Sequence, residues 1–248
     1  MAEDDIGQLK KRFDELANRA FTRGAAAYTR FLNTAEQSVL SSMRLAVEPR
    51  LCGGFPWAER RIAVFEPPEG MEEEPPIVCI RIAPVNARFS DELTHRDFLG
   101  SLMACGVSRD TLGDILVKDG AGYLICLESV ADFIAQNLTQ VKHTTVTAVR
   151  SALPGDTALS GETRSLVVAS ERLDAVIAAF WRIPREEAKL LCERGFVFVD
   201  SRCVLKAASQ IPQGAAVTVR GRGRFRYDGI DRETKKGRLR VLITTPES

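Results

Sequence analysis

Between Arg220 and Arg226 the chain reads Arg-Gly-Arg-Gly-Arg-Phe-Arg, placing a cation at every second position. Lacking a Cβ, Gly221 and Gly223 let backbone amides approach a phosphate. The flanking Arg220, Arg222, Arg224 and Arg226 offer forked, permanently charged donors. That chemistry is the gripping of a polyanion; the alternative is a hairpin whose arginines keep an edge strand soluble. Lys235, Lys236 and Arg238 form a second basic cluster, open to the same two readings. From Ser165 to Ser248 there are 16 Lys and Arg against 10 Asp and Glu, a net of +6, whereas the preceding 164 residues hold 18 against 23, a net of −5. Such asymmetry points to a nucleic acid as partner of the basic end.

Catalytic chemistry finds little support. Arg172-Leu173-Asp174 is similar to the catalytic triplet of pseudouridine synthases, but it falls in a predicted helix, and no module left over matches their larger catalytic domain. Asp174 is instead expected near a helix start, where the dipole favours a carboxylate. His95-Arg96-Asp97 mimics a kinase catalytic loop without the glycine-rich loop or strand lysine that would hold a nucleotide. A helix N-terminus capped by Asp97 and His95 is expected there, with RNA contact by His95 and Arg96 as the lesser alternative. Gly53-Gly54 with Glu59, Arg60 and Arg61 could admit a phosphate, and Trp57 could stack on a base; the leading expectation is a tight turn with Phe55 and Trp57 in the core. With only two histidines, no Ser-His-Asp set or Cys-His dyad is assembled, so no catalytic residue is expected. The six cysteines show no pairs at two-residue gaps and are expected as buried free thiols, with no metal site and no cofactor.

These residues are positioned by three predicted modules, at 1–70, 71–155 and 165–248, in an α+β chain. The joints are the acidic, Pro-rich stretch Glu66–Pro76 and the small-residue stretch Ser151–Arg164. The first module opens with an amphipathic helix bearing Ile6, Leu9, Phe13, Leu16 and Ala20. A second helix follows Thr34, with Gln37 completing a capping box, and Arg61–Phe65 reads as a strand. The middle module reads as strand Ile77–Ile82, helix Asp97–Cys105, a hairpin about Asp119-Gly120 between Asp114–Val117 and Tyr123–Leu127, helix Ser129–Leu138 and strand Thr144–Val149. That is the ferredoxin-like βαββαβ order. In the last module Leu173, Val176, Ile177 and Phe180 make one helical stripe. Pro184 starts a second helix with Ala188, Leu191 and Cys192 inward and Arg185 and Lys189 outward. Gly195 ends it, and strands at Phe196–Val199, Cys203–Leu205, Ala216–Val219 and Leu239–Ile243 follow. No membrane segment is present, and the acidic Met1–Asp5 is unlike a targeting peptide, so a cytoplasmic location is expected.

The order of the last module resembles the RNA-binding domain of small-subunit ribosomal protein S-four (the S-four-type, or αL, domain). The resemblance implies a concave basic surface for structured RNA, carried here by Arg172, Arg185, Lys189 and Arg194. Over nearly the whole chain, Gly53-Gly54-Phe55-Pro56-Trp57-Ala58-Glu59-Arg60-Arg61, His95–Met103, Gly113-Asp114-Ile115, Asn137-Leu138 and the Gly-Arg-Gly-Arg-Phe tail are similar in order and spacing to the YlmH-like proteins. That resemblance implies an N-terminal α/β domain, a middle RNA-binding domain and a C-terminal S-four-type domain. It also implies a non-catalytic factor on the ribosomal large subunit that rescues obstructed subunits still holding peptidyl-tRNA. Structured RNA is the implied partner, rRNA first and tRNA as a further candidate. The alternatives are an RNA-modifying enzyme like a pseudouridine synthase and a scaffold linked to cell division.

Overall fold

The computed structural model describes residues 3–55, 58–69, 73–86, 91–154, 161–234 and 237–246, which form two compact units. The first comprises Met1–Glu36 and Met43–Ala158. Its helix α1 (Glu3–Arg23) buries Phe13, Leu16, Ala17 and Ala20, the i, i+3, i+4, i+7 stripe of an amphipathic helix. Strands β1 (Ala27–Tyr28), β2 (Arg50–Cys52) and β3 (Ile62–Phe65) form an antiparallel sheet with β3 central. All four residues of β3 are buried, as expected of a strand covered on both faces.

Between β1 and β2 lies α2 (Thr34–Ser41), whose cap differs from the sequence expectation. Asn33, not Thr34, is the capping residue. Its Oδ1 accepts the amides of Ala35 and Glu36 at 2.9 and 3.1 Å, and Glu36 Oε2 accepts the Asn33 amide at 2.7 Å. The box is therefore Asn33 with Glu36 rather than Thr34 with Gln37.

The same unit continues with β4 (Ile77–Pro84), α3 (His95–Ala104), β5 (Leu112–Lys118), β6 (Ala121–Leu127), α4 (Glu128–Asn137), β7 (Gln140–Val141) and β8 (Thr144–Ser151). The strands lie in the order β5-β6-β4-β8-β7, each pair antiparallel, and the first four have the order of a split βαβ unit. The β5–β6 hairpin turns at Asp119 (φ 50°) and Gly120 (φ 73°), two successive left-handed residues as a tight I′ turn demands. One face buries Ile80, Ile82, Leu124 and Val146 against Phe98, Leu102, Ala131 and Ile134 of α3 and α4. On the other face Ile125 joins Phe31, Phe55, Ile62 and Val64, so the N-terminal and middle segments share a core.

The second unit is Gln37–Ser42 with Leu159–Ser248. Its elements are β9 (Gly161–Val168), α5 (Leu173–Trp181), α6 (Arg185–Glu193), β10 (Val197–Val199), β11 (Arg202–Cys203), β12 (Ala216–Val219), β13 (Gly223–Glu233) and β14 (Leu239–Pro246). The antiparallel sheet runs β11-β10-β12-β13-β14-β9. Gly161–Arg164, expected within a linker, belongs to β9 and pairs with Ile243–Pro246 of β14. Leu173, Val176 and Ile177 of α5 and Ala188 and Cys192 of α6 pack on Val197, Val217, Val219, Phe225, Tyr227, Val241 and Ile243.

Candidate nucleic-acid interface

The turn between α5 and α6 aligns the first basic cluster. Helix α5 stops at Arg182, which takes the left-handed conformation (φ 53°), and Pro184 opens α6 at a position where its missing amide costs nothing. The reversal returns Arg185 to the start of α5, where Asp174 lies with its side chain 3% exposed. Asp174 accepts Arg172 Nε at 3.1 Å and Nη2 at 2.8 Å, and Arg185 Nη2 at 3.1 Å. Burial alone would raise the Asp174 pKa. The hydrogen bonds and charges of Arg172 and Arg185 outweigh it and hold the carboxyl below its usual value. The arginine side chains keep 43% and 47% exposure, so the acid fixes their position while their outer edges face water.

Lys189 stands one helical turn beyond Arg185, exposed, with Glu193 at 3.8 Å. Glu187, on the same helix, pairs with Arg222 of the glycine-rich turn. That turn is held further by Trp181, whose Nε1 donates to the Arg222 carbonyl at 3.0 Å, and by the Arg222 amide, which donates to Val219 O at 3.0 Å. Phe180 and Phe225 pack around Trp181 with ring centroids at 4.6 and 5.6 Å. Gly221 (φ 79°) and Gly223 (φ 106°) adopt angles that L side chains rarely take, and a Cβ on either would meet nothing within 4 Å. Glycine is thus required there by backbone conformation, and both glycines are exposed.

The sheet divides the remaining basic residues. Phe225 and Tyr227 of β13 point into the core under α5 and α6. Strand alternation therefore turns Arg224 and Arg226 to the opposite face. Arg226 pairs there with Asp228 at 2.5 Å. Arg220 follows the same side, its guanidinium 5.9 and 5.6 Å from the ring centroids of Phe196 and Phe198. The structure thus gathers Arg172, Arg185, Lys189 and Arg222 on the helix side and sends Arg220, Arg224 and Arg226 to the other. Arg194 is exposed at the C-cap of α6, and Arg238 is exposed in the turn between β13 and β14, its amide donating to Thr234 Oγ1 at 3.0 Å. Lys235 and Lys236 lie outside the described residues. Glu187 and Trp181 are organising side chains that spacing does not single out, and Asp174, expected only as a carboxylate near a helix start, is in addition the clamp of two arginines. Asp174 two residues after Arg172 was the available signal.

The other candidates resolve into structural roles. A Cβ on Gly53 would stand 2.2 Å from Ala58 Cβ, so this glycine serves close packing, and Phe55 is buried as expected, while Trp57 lies outside the described residues. Asp97 caps α3 together with Thr94, accepting its amide at 2.8 Å and its hydroxyl at 2.6 Å. Those bonds, with Lys142 at 3.1 Å, bring its carboxyl down to about 2. His95 is the first helical residue rather than the cap. Desolvation and the positive field of Arg109 lower its imidazole pKa. Arg60 and Arg109 anchor loops by donating to carbonyls: Arg60 to Phe31 at 2.9 Å and Leu112 at 3.0 Å, Arg109 to Leu112 at 2.8 Å.

Burial pushes the Cys126 thiol up to about 12 and Cys192 to about 11, the direction of unreactive core cysteines. Cys203, expected buried, is exposed because β11 is a two-residue edge strand. Among the described residues no group of His, Cys, Asp and Glu could hold a metal ion, and no helix is long and apolar enough to cross a membrane.

Residues 77–154, from β4 through the end of the split βαβ unit, match the family model described as "Putative RNA-binding domain in YlmH". A Bacillus subtilis (strain 168) protein named "Ribosome-associated protein quality control protein P2" is 33% identical over 222 residues, covering 87% of this chain and 85% of that protein. The chain belongs to the YlmH-like family of RNA-binding proteins. A solved structure described as "Cell division protein ylmH from Streptococcus pneumoniae" aligns with this YlmH-like chain at a TM-score of 0.49 and 14% identity, covering 61% of this chain and 93% of that one.

Proposed function

We propose that this YlmH-like protein is a non-catalytic, cytoplasmic factor that binds structured RNA on the ribosome and serves translation quality control. In this reading the second unit is an S-four-type domain. It grips rRNA of the large subunit through Arg172, Arg185, Lys189 and Arg222, with tRNA as a further contact. The observation that carries the reading is the Asp174 clamp: a buried carboxylate holds two arginines in fixed positions with their outer edges in water. Preset cations of this kind suit a rigid array of phosphates. The name of the Bacillus subtilis relative, aligned over most of both chains, supports the ribosomal setting.

The same clamp weighs against a pseudouridine-synthase-like role for Asp174, because its carboxylate is buried and already engaged by two guanidiniums. Gradient fractionation of a lysate tests the proposal. The protein is expected with large ribosomal subunits at low salt and released at high salt. Finding it among free proteins at low salt, with subunits intact, would favour the cell-division scaffold.

A further inference from the structure

Leu116, Tyr123, Arg81 and Val149 form one row across β5, β6, β4 and β8: Leu116 pairs with Tyr123, Tyr123 with Arg81, and Arg81 with Val149. Directly opposed strand residues project from the same face. This is the face away from α3 and α4, since the alternate residues Ile80, Ile82, Leu124 and Ala148 belong to the core beneath those helices. The neighbouring row of Cys79 and Ile125 is covered by Phe31, Phe55, Ile62 and Val64. The Tyr123 row lies at the edge of that cover and opens progressively to solvent: Leu116 packs against the same cluster and Tyr123 is half-buried, whereas Arg81 is exposed, Val149 is 50% exposed, and Thr145 and Thr147 continue the open surface along β8.

We propose that this open strip is a stacking site for unpaired RNA bases, a second RNA contact that lies in the first unit. An aromatic ring on one central strand beside a guanidinium on the next offers a base a flat partner and its phosphate a cation. The charge is complementary. Neither this row nor the next, which pairs Lys118 with Ala121 and Ala83 with Thr147, contains an acidic residue. Among the described residues Arg81 makes no ion pair, whereas Arg150, on the helix-covered side of β8, is held by Glu128 at 3.1 Å and Asp132 at 3.0 Å. The strip also lies within residues 77–154, the span matched by the RNA-binding family model.

The inference rests on reading the chain as RNA-binding, and two probes keep the two ideas apart. The full-length protein is titrated into a fluorescently labelled, unstructured oligouridine of about 12 nucleotides, a length a single-strand site can hold, and into a structured RNA hairpin. Tyr123→Leu should weaken oligouridine binding about tenfold, the loss of roughly one stacked base. Tyr123→Phe, which keeps the ring, should stay within about twofold of the wild type, and the hairpin should bind Tyr123→Leu unchanged.

Arg81→Gln changes an exposed side chain and decides the matter should Tyr123→Leu fail to melt as a folded protein; several-fold weaker oligouridine binding is expected of it. The proposal is overturned if wild-type protein does not bind oligouridine, if Tyr123→Leu or a folded Arg81→Gln binds it as tightly as wild type, or if Tyr123→Phe loses as much as Tyr123→Leu. The proposed function fails separately, if the hairpin is not bound.

Discussion

Asp174 takes both prongs of the Arg172 guanidinium, Nε at 3.1 Å and Nη2 at 2.8 Å, from a site where its own side chain is 3% exposed. A single acid thereby sets the geometry of two cations, since Arg185 shares its Oδ1 at 3.1 Å. The chain accepts a buried charge at the head of α5 and gains a basic surface with little rotamer freedom left to lose on binding.

Asp174→Asn keeps the shape of the clamp and removes its charge. Because the arginines are about half exposed, losing the acid strands no buried cation, and the stability cost should be modest, about 1 to 2 kcal/mol. RNA affinity should fall about five- to tenfold, as two guanidiniums must then be ordered on binding. Urea unfolding and fluorescence anisotropy measure the two effects; unchanged affinity would remove Asp174 from the interface.

The clamp also has a pH signature. The native Asp174 pKa is lowered, so its contribution to stability is fully present above the unfolded value of about 3.9 and is lost as pH falls through the lower native value. Asp97, brought down to about 2 by its bonds to Thr94, acts in the same direction. Urea midpoints recorded from about pH 6 to about 2.5 should therefore drop on the acid side. The drop should be shallower in Asp174→Asn, and a profile identical to wild type would contradict the clamp's native pKa.

The division of cations between two faces of the sheet bears on salt dependence. If the helix-side set of Arg172, Arg185, Lys189 and Arg222 makes the phosphate contacts, four contacts should cost about a hundredfold in affinity between roughly 50 and 200 mM salt. Engagement of both faces, with six or more contacts, should cost about a thousandfold or more. Arg185→Ala with Lys189→Ala should weaken binding and flatten the slope by about two contacts. Lys189 is exposed and its loss should hardly move the melting temperature, whereas losing Arg185 leaves the buried Asp174 carboxylate with Arg172 alone and should lower it modestly. Leu173→Ala is the contrasting control: Leu173 is 0% exposed, and its truncation should cost about 2 to 5 kcal/mol.

What could be read from sequence follows the range of the interaction. The helix of Leu173, Val176 and Ile177 and the Asp119-Gly120 hairpin rest on spacings and angles within a few residues, and both are present in the fold. The cap of α2 is ambiguous in sequence because Asn33 and Thr34 are adjacent competent caps, and only the reciprocal bond that Glu36 accepts from the Asn33 amide selects Asn33. Strand β9 was hidden because Gly161–Arg164 lacks apolar alternation and its partners in β14 lie about eighty residues away. The arginine run from Arg220 to Arg226 reads as one patch along the chain. Its separation depends on Phe225 pointing inward, which only the sheet and the overlying α5 decide.

Trp181 offers the sharpest test of the glycine-rich turn. Its ring is packed with Phe180 and Phe225, and its Nε1 donates to the Arg222 carbonyl at 3.0 Å. Trp181→Phe preserves most of the aromatic packing and deletes the donor, leaving a carbonyl on an exposed turn that water can satisfy. The stability cost should therefore be about 1 kcal/mol or less. The turn carries Arg222, whose carbonyl loses its tether while its amide keeps Val219 O and its side chain keeps Glu187. RNA affinity should fall a few-fold, with the loss confined to variants of the turn. Combining Trp181→Phe with Glu187→Gln, which removes the second restraint, should exceed the sum of the single losses in binding free energy, because each restraint alone still limits the turn. Additive losses would mean that the turn is held elsewhere, and full affinity in the double variant would exclude Arg222 from the RNA contact.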